Sequence, residues 1–144
     1  MARLLDAGIL TERTVGRARL LTANPHSPLV NPLRQILAVA SGPVLYLADE
    51  LSAIDGIEVA FIYGSFAARA SGITGPPPDD IDVMVIGAPD ADAIYEACER
   101  VEALVGRPVN PTILTAEEAR SERTSAFMQS VSTQSRLPLI GEWS

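Results

Sequence analysis

Apolar positions along this chain change their spacing from segment to segment, and each change marks a different element. The most strand-like run is Ile57-Glu58-Val59-Ala60-Phe61-Ile62-Tyr63, entered through an Asp55-Gly56 turn. A second run, Ile81-Asp82-Val83-Met84-Val85-Ile86, follows a proline-rich stretch. Between them Phe66 to Ala70 reads as a short alanine-rich helix, and Ser71-Gly72-Ile73-Thr74-Gly75-Pro76-Pro77-Pro78 as an exposed, partly polyproline loop. From Asp90 onward Ile94, Ala97, Cys98, Val101, Leu104 and Val105 form an apolar stripe of helical period. A third strand is predicted over Val109 to Leu114. A helix to about Val131 follows it, opened by Thr115 and Glu118 as a T-x-x-E capping box.

Upstream, Ile9 to Thr14 and Arg17 to Thr22 flank Val15-Gly16 as a hairpin. A punctuated loop runs through Asn24-Pro25-His26-Ser27-Pro28 and Asn31-Pro32. Helices are predicted over Leu33 to Ala40 and Val44 to Ser52, on either side of Ser41-Gly42-Pro43. Leu137 to Ile140 and Trp143 suit either the cover of a sheet edge or an apolar patch, and the pattern does not choose between them. Together these elements predict an α/β (α+β) fold: a small mixed β-sheet with the site on one side and helices packed on the other, preceded by a hairpin and helices. The expected division is a hairpin segment, 1–32, and a larger domain with its leading helices, 33–144.

Composition narrows the chemistry. At 144 residues the chain has one domain's worth of sequence, enough to bury roughly 68 to 70% of its unfolded surface without staples. All 11 basic residues are arginine. The missing lysine removes P-loop phosphate binding, Schiff-base chemistry and Ser-Lys dyads together. One histidine, His26, and one cysteine, Cys98, exclude intrachain disulfides, zinc fingers and any site built on two imidazoles. Residues 1–34 hold five arginines against Asp6 and Glu12, whereas the remainder holds six against sixteen acids, so the bulk of the chain lacks the basic footprint of a nucleic-acid binder. The start, Met1-Ala2-Arg3-Leu4-Leu5-Asp6, breaks the apolar run that a signal peptide needs, and no membrane-length apolar stretch follows. A cytoplasmic setting and no membrane partner are the expectation.

What remains is carboxylate, hydroxyl, backbone amide and arginine chemistry. Side chains alternate along a strand, so Asp80 and Asp82 share a face, with Cα atoms roughly 6.6 Å apart. Two neighbouring carboxylates repel unless a cation neutralises them, and hard oxygen ligands suit Mg²⁺ or Mn²⁺. Gly64-Ser65, between a strand and a helix, lets backbone approach a ligand closely and offers amide and hydroxyl donors to phosphate. One element is thus placed to hold a polyphosphate and the next to hold its metal.

Tyr63-Gly64-Ser65-Phe66-Ala67-Ala68-Arg69, followed by Asp79-Asp80-Ile81-Asp82-Val83-Met84-Val85, resembles the G-S…[DS]-D-x-D signature of nucleotidyltransferases related to DNA polymerase β, especially the minimal bacterial ones. The resemblance spans roughly residues 50 to 140. It implies the polymerase-β-like nucleotidyltransferase fold, with NTP as substrate bound by Gly64, Ser65 and Arg69. It also implies Asp80 and Asp82 as catalytic metal ligands for Mg²⁺ or Mn²⁺. The implied reaction moves a nucleoside monophosphate onto an acceptor hydroxyl, on a small molecule, a tRNA or a protein, with release of pyrophosphate. The third metal-binding carboxylate of the family falls at Asn110, a neutral side chain that cannot act as a base. The glycine that follows the arginine of the G-S loop is also delayed to Gly72, and the loop to the aspartates is longer. The flanking sequence resembles a subgroup in which a winged-helix DNA-binding module precedes the transferase. Leu4-Leu5-Asp6-Ala7-Gly8-Ile9-Leu10 would then end a recognition helix, with DNA as partner only if that module is complete. The alternative implied is a catalytically impaired nucleotide-binding or antitoxin-like regulator, and a homodimer is a further partner expectation.

Plainer roles stand beside these. Asp79, Asp80 and Asp82 also suit turn and strand-edge acids, Ser65 a helix cap, and Arg69 a solvent-facing charge. Glu117 and Glu118 are read as first-turn and capping residues, His26 as a loop residue, Cys98 as a small core hydrophobe, and Arg13, Arg17 and Arg19 as a solvated hairpin face.

Overall fold

The structure is a computed structural model describing residues 2–33, 36, 42–121 and 125–144. It comprises two compact units, Met1–Val39 and Ala40–Ser144.

In the first unit, helix α1 (Ala2–Asp6) precedes an antiparallel hairpin of β1 (Leu10–Val15) and β2 (Ala18–Ala23). The hairpin sits one residue later than the hydrophobic pattern places it. Val15 pairs with Ala18, leaving Gly16 and Arg17 as a two-residue turn. Gly16 adopts φ +61°, the left-handed value that a type II′ turn needs at its first central residue. The Thr11 and Thr22 hydroxyls meet across the strands at 2.9 Å, and Arg19 pairs with Glu12, so this arginine is engaged within the hairpin. His26 is exposed and its backbone N–H donates to Asn24 Oδ1 at 3.1 Å, a turn-forming contact in the loop that the sequence predicts. Most of the helix expected over Leu33 to Ala40 lies outside the described residues.

The second unit begins with α2 (Gly42–Ser52). This helix starts two residues earlier than expected, because Pro43 falls in the first turn, where a missing N–H costs no hydrogen bond. Then come β3 (Ile57–Tyr63), α3 (Gly64–Ala70), β4 (Ile81–Gly87), α4 (Ala91–Val105), β5 (Val109–Leu114), α5 (Ala116–Ser121), α6 (Ala126–Thr133) and β6 (Leu137–Ile140). The sheet order is β5-β4-β3-β6; β4 and β5 run parallel and the other pairs antiparallel. Leu137–Ile140 therefore resolves as an edge strand on β3, with Ile62 opposite Leu137 and Phe61 opposite Pro138. Each outer strand contains a proline, Pro111 in β5 and Pro138 in β6.

Alternation along the strands divides the core. Ala60, Ile62, Ile81, Val83 and Val85 face one way and pack with Leu47 and Leu51 of α2, Phe66 and Ala67 of α3, and the stripe of α4. Phe61, Met84 and Ile86 face the other way and meet Ala119 of α5 and Met128 and Val131 of α6, with Trp143 against them. The long helices thus share one face, while two short helices cover part of the other. The single helix expected after Thr115 is described as these two, α5 and α6, with 122–124 outside the described residues.

Helix α4 is capped at both ends, by Asp90, whose side chain accepts from the Asp92 N–H at 3.1 Å, and by left-handed Gly106. Its buried stripe is Ile94, Ala97, Cys98, Val101 and Val105. Leu104 lies roughly 80° from the stripe's centre at about 100° per residue, and it is 59% exposed rather than part of the core. Burial, reinforced by the Glu102 carboxylate, pushes the Cys98 thiol up from its ordinary 9.0 to about 11. The reactive thiolate is thereby depleted, and Cys98 of the native protein is expected to alkylate with iodoacetamide roughly 10²-fold more slowly than in urea. Equal rates in the two conditions would contradict its core placement. Among the described residues no helix is long and apolar enough to cross a membrane.

Candidate active site

Strand β3 ends at Tyr63, and the chain turns at once into α3 through Gly64, whose φ is +74°. This position demands glycine for a second reason: a Cβ here would stand 2.8 Å from Asp82 Oδ2. The backbone of the turn is thus pressed against the carboxylate of the neighbouring strand. Register completes the picture, since Tyr63 lies opposite Asp82 in the antiparallel pair and Asp82 opposite Asn110 in the parallel one. Three strands place Tyr63, Asp82 and Asn110 in one row at the edge of the sheet.

Asp80 stands one step before β4, on the same side as Asp82, and Asn110 Nδ2 donates to Asp80 Oδ2 at 3.0 Å. Both carboxylates are half-buried while Asp79 is exposed. The Asp82 carboxyl is raised above its ordinary 3.8, first because burial disfavours its charge and second because Asp80 repels it; the Asn110 amide works in the opposite direction. Among the described residues no group of three or more His, Cys, Asp and Glu side chains is gathered in a metal-holding arrangement. The donors at this spot are two carboxylates and one carboxamide, a set suited to one hard divalent cation.

That electrostatic strain has a measurable consequence. A carboxyl raised on folding contributes stability below its unfolded pKa and loses that contribution as pH rises through the folded value. In EDTA the parent protein is therefore expected to fall behind an Asp82→Asn variant in urea midpoint as pH increases from about 4 upward. A gap that narrows over the same range would contradict the repulsive environment of Asp82.

Tyr63 is braced within the row. Its hydroxyl lies 3.4 Å from Thr112 Oγ1 on β5, and its ring meets Phe61 and Phe127 edge-on at 6.3 and 6.2 Å. Burial raises its phenol, the Thr112 contact opposes the shift, and the Asp82 charge adds to it. The phenol is accordingly neutral beside the acids rather than another negative charge.

On the β6 side of the turn a cavity of about 530 Å³ opens, lined by Gly64, Ser65, Ala68 and Ile73 and closed opposite by Thr133, Gln134 and Ser135. Ser65 is exposed at its rim, and the start of α3 has no side-chain cap, so Ser65 is free of that plainer role. Thr133, Gln134 and Ser135 carry no local motif; only the pairing of β6 with β3 brings them here. Arg69 is occupied differently, for its guanidinium donates to the carbonyls of Ile73 at 2.7 Å and Pro76 at 2.9 Å. It clamps the loop that delivers the aspartates. A second cavity of about 390 Å³, bordered by Phe61, Arg136, Pro138 and Trp143, lies along β3 and β6 without reaching the carboxylate pair.

The capping box of α5 forms reciprocally, Thr115 N–H to Glu118 Oε2 at 2.8 Å and Glu118 N–H to Thr115 Oγ1 at 3.1 Å. Glu118 is thereby committed to its helix.

No protein-family model and no curated protein matches the chain. Solved structures similar to it include the MntA–HpeT toxin–antitoxin mutant (TM-score 0.46, 19% identity, 72% of this chain and 73% of that one). A tri-AMPylated HEPN toxin of Shewanella oneidensis in complex with MNT antitoxin gives TM-score 0.42 at 21% identity over 75% and 73% of the two chains. A candidate nucleotidyltransferase of Sulfolobus solfataricus gives 0.41 at 13% over 74% and 83%. At these scores the likeness adds nothing to what the site itself supports.

Proposed function

We propose that this chain transfers a nucleoside monophosphate from an NTP to an acceptor hydroxyl. The single observation that carries the reading is the placement of Gly64: a Cβ here would stand 2.8 Å from the Asp82 carboxylate, and the same residue lines the 530 Å³ cavity. A polyphosphate in that cavity, met by the Ser65 and Ser135 hydroxyls and backbone amides, would run directly toward the paired acids; the Thr133 hydroxyl is engaged with the Gln129 and Ser130 carbonyls of its own helix. Asp80 and Asp82 would hold Mg²⁺ or Mn²⁺, which when bound offsets negative charge building on the reacting phosphate. The acceptor oxygen forms its bond to the α-phosphorus as the bond to the β-phosphate oxygen breaks, pyrophosphate leaves, and the acceptor proton passes to solvent. Tyr63 and Thr112 brace the row beside the acids. Arg69 acts at one remove, by fixing the loop ahead of Asp80.

Incubation with labelled NTPs and Mn²⁺ or Mg²⁺, offering small-molecule, tRNA and protein hydroxyls in turn, tests the reading. Label in an acceptor, with pyrophosphate released in equal amount, is the expected result. Absence of transfer and of calorimetric NTP binding under all these conditions would overturn it.

A second reading is favoured by the amide at position 110: a regulator of antitoxin type that binds nucleotide without turning it over. Calorimetric binding of NTP and cation with no label transferred to any acceptor would select it. A winged-helix role for the first unit, with Arg13 and Arg17 near DNA phosphates, belongs to this reading. It requires retardation of duplex DNA that weakens steeply between two salt concentrations.

A further inference from the structure

We infer that Asn110 makes this a site for a single cation, with an amide that exchanges partners when the ion enters. The inference rests on the reading of Asp80 and Asp82 as the cation-holding pair. Asn110 is in register with Asp82 on the adjoining parallel strand, and its Nδ2 donates to Asp80 Oδ2 at 3.0 Å, so one amide attends both acids. A carboxamide has a donor end and an acceptor end of nearly the same shape, and half a turn about its last torsion swaps them. Without an ion, the N–H end offsets the repulsion between two carboxylates. With an ion, the Oδ1 end turns inward as a third oxygen ligand, while the N–H end moves out to solvent, which the exposure of Asn110 permits. An aspartate here could supply only the second arrangement, and a leucine neither.

Charge sets the stoichiometry. Two carboxylates balance one divalent cation, and no third acidic, His or Cys side chain joins them among the described residues. A second ion has no protein charge to enter on and would have to arrive with the anionic nucleotide.

The test is a Mn²⁺ titration of the nucleotide-free full chain, followed by loss of the free-ion electron paramagnetic resonance signal. It compares the parent with Asn110→Asp, Asn110→Leu and Asp80→Asn/Asp82→Asn chains, with melting in EDTA as a second readout. The parent is expected to take up a single Mn²⁺. Asn110→Asp should bind about tenfold more tightly yet melt lower in EDTA, and Asn110→Leu should bind about tenfold more weakly. Two ions of similar affinity in the parent would overturn the inference. So would identical Mn²⁺ affinity in both Asn110 variants and the parent; if the double aspartate variant still loses the ion, the carboxylate-pair reading survives that outcome. No Mn²⁺ uptake by the parent would remove the inference and the metal-holding pair alike.

Discussion

An Asp80→Asn/Asp82→Asn chain is expected to retain its fold and lose NTP-dependent transfer by about 10³-fold or more. The size follows from charge: stabilisation by a bound divalent ion is worth several kcal/mol in phosphoryl chemistry, and each 1.36 kcal/mol is about a factor of ten in rate. The fold survives because both side chains are half-buried and neither anchors a hydrophobic cluster. Replacing them also removes the repulsion that raises Asp82. The variant should therefore melt no lower than the parent in EDTA, which separates lost chemistry from lost structure. Transfer within twofold of the parent would rule out these acids as the reacting centre. A drop accompanied by an equal loss of melting cooperativity would reassign them to the fold.

Gly64→Ala should act by a different route and cost both stability and activity. Holding a side-chain-bearing residue in the left-handed region costs about 1 to 2 kcal/mol, a shift in melting temperature of roughly 4 to 8 °C per kcal/mol for a domain near this size. The added methyl would also enter the space of Asp82 Oδ2, 2.8 Å away. Displacing a reacting group by about 1 Å can lower a rate by 10²-fold, so transfer should fall by at least that much. Combining Gly64→Ala with Asp82→Ala removes the collision but not the torsional cost. Measured against Asp82→Ala alone, Gly64→Ala should then lower the melting temperature by less than it does in the parent, and none of the transfer should return. A Gly64→Ala cost that vanishes in the Asp82→Ala background would mean that the torsion contributes nothing, and an unchanged cost that the two groups do not meet.

Much of this arrangement was legible in the chain because its signals are local. Strands β3, β4 and β5 and helix α4 each carry their own period, turn residue or cap within a dozen positions. Gly64 and the aspartates were likewise visible as a strand-turn-helix and a strand start. What escaped depends on distant pairing. Strand β6 is four residues long and contains Pro138, too short and too interrupted to declare itself, and it becomes a strand only because Ile62 and Phe61 offer partners. Thr133, Gln134 and Ser135 therefore reach the cavity through a contact that no spacing encodes. Arg69 carries no local sign of its partners, because the carbonyls of Ile73 and Pro76 that hold its guanidinium lie in a loop whose path no spacing encodes. Leu104 misled because an apolar residue at helical spacing is buried only when it also falls within the width of the stripe.

The prolines of the two outermost strands have a consequence for how this protein behaves in a crowded solution. Neither ring nitrogen carries a hydrogen, so each border of the sheet lacks a donor where an incoming chain would need one. Intermolecular zippering, the route by which small sheets grow into fibrils, is interrupted on both flanks.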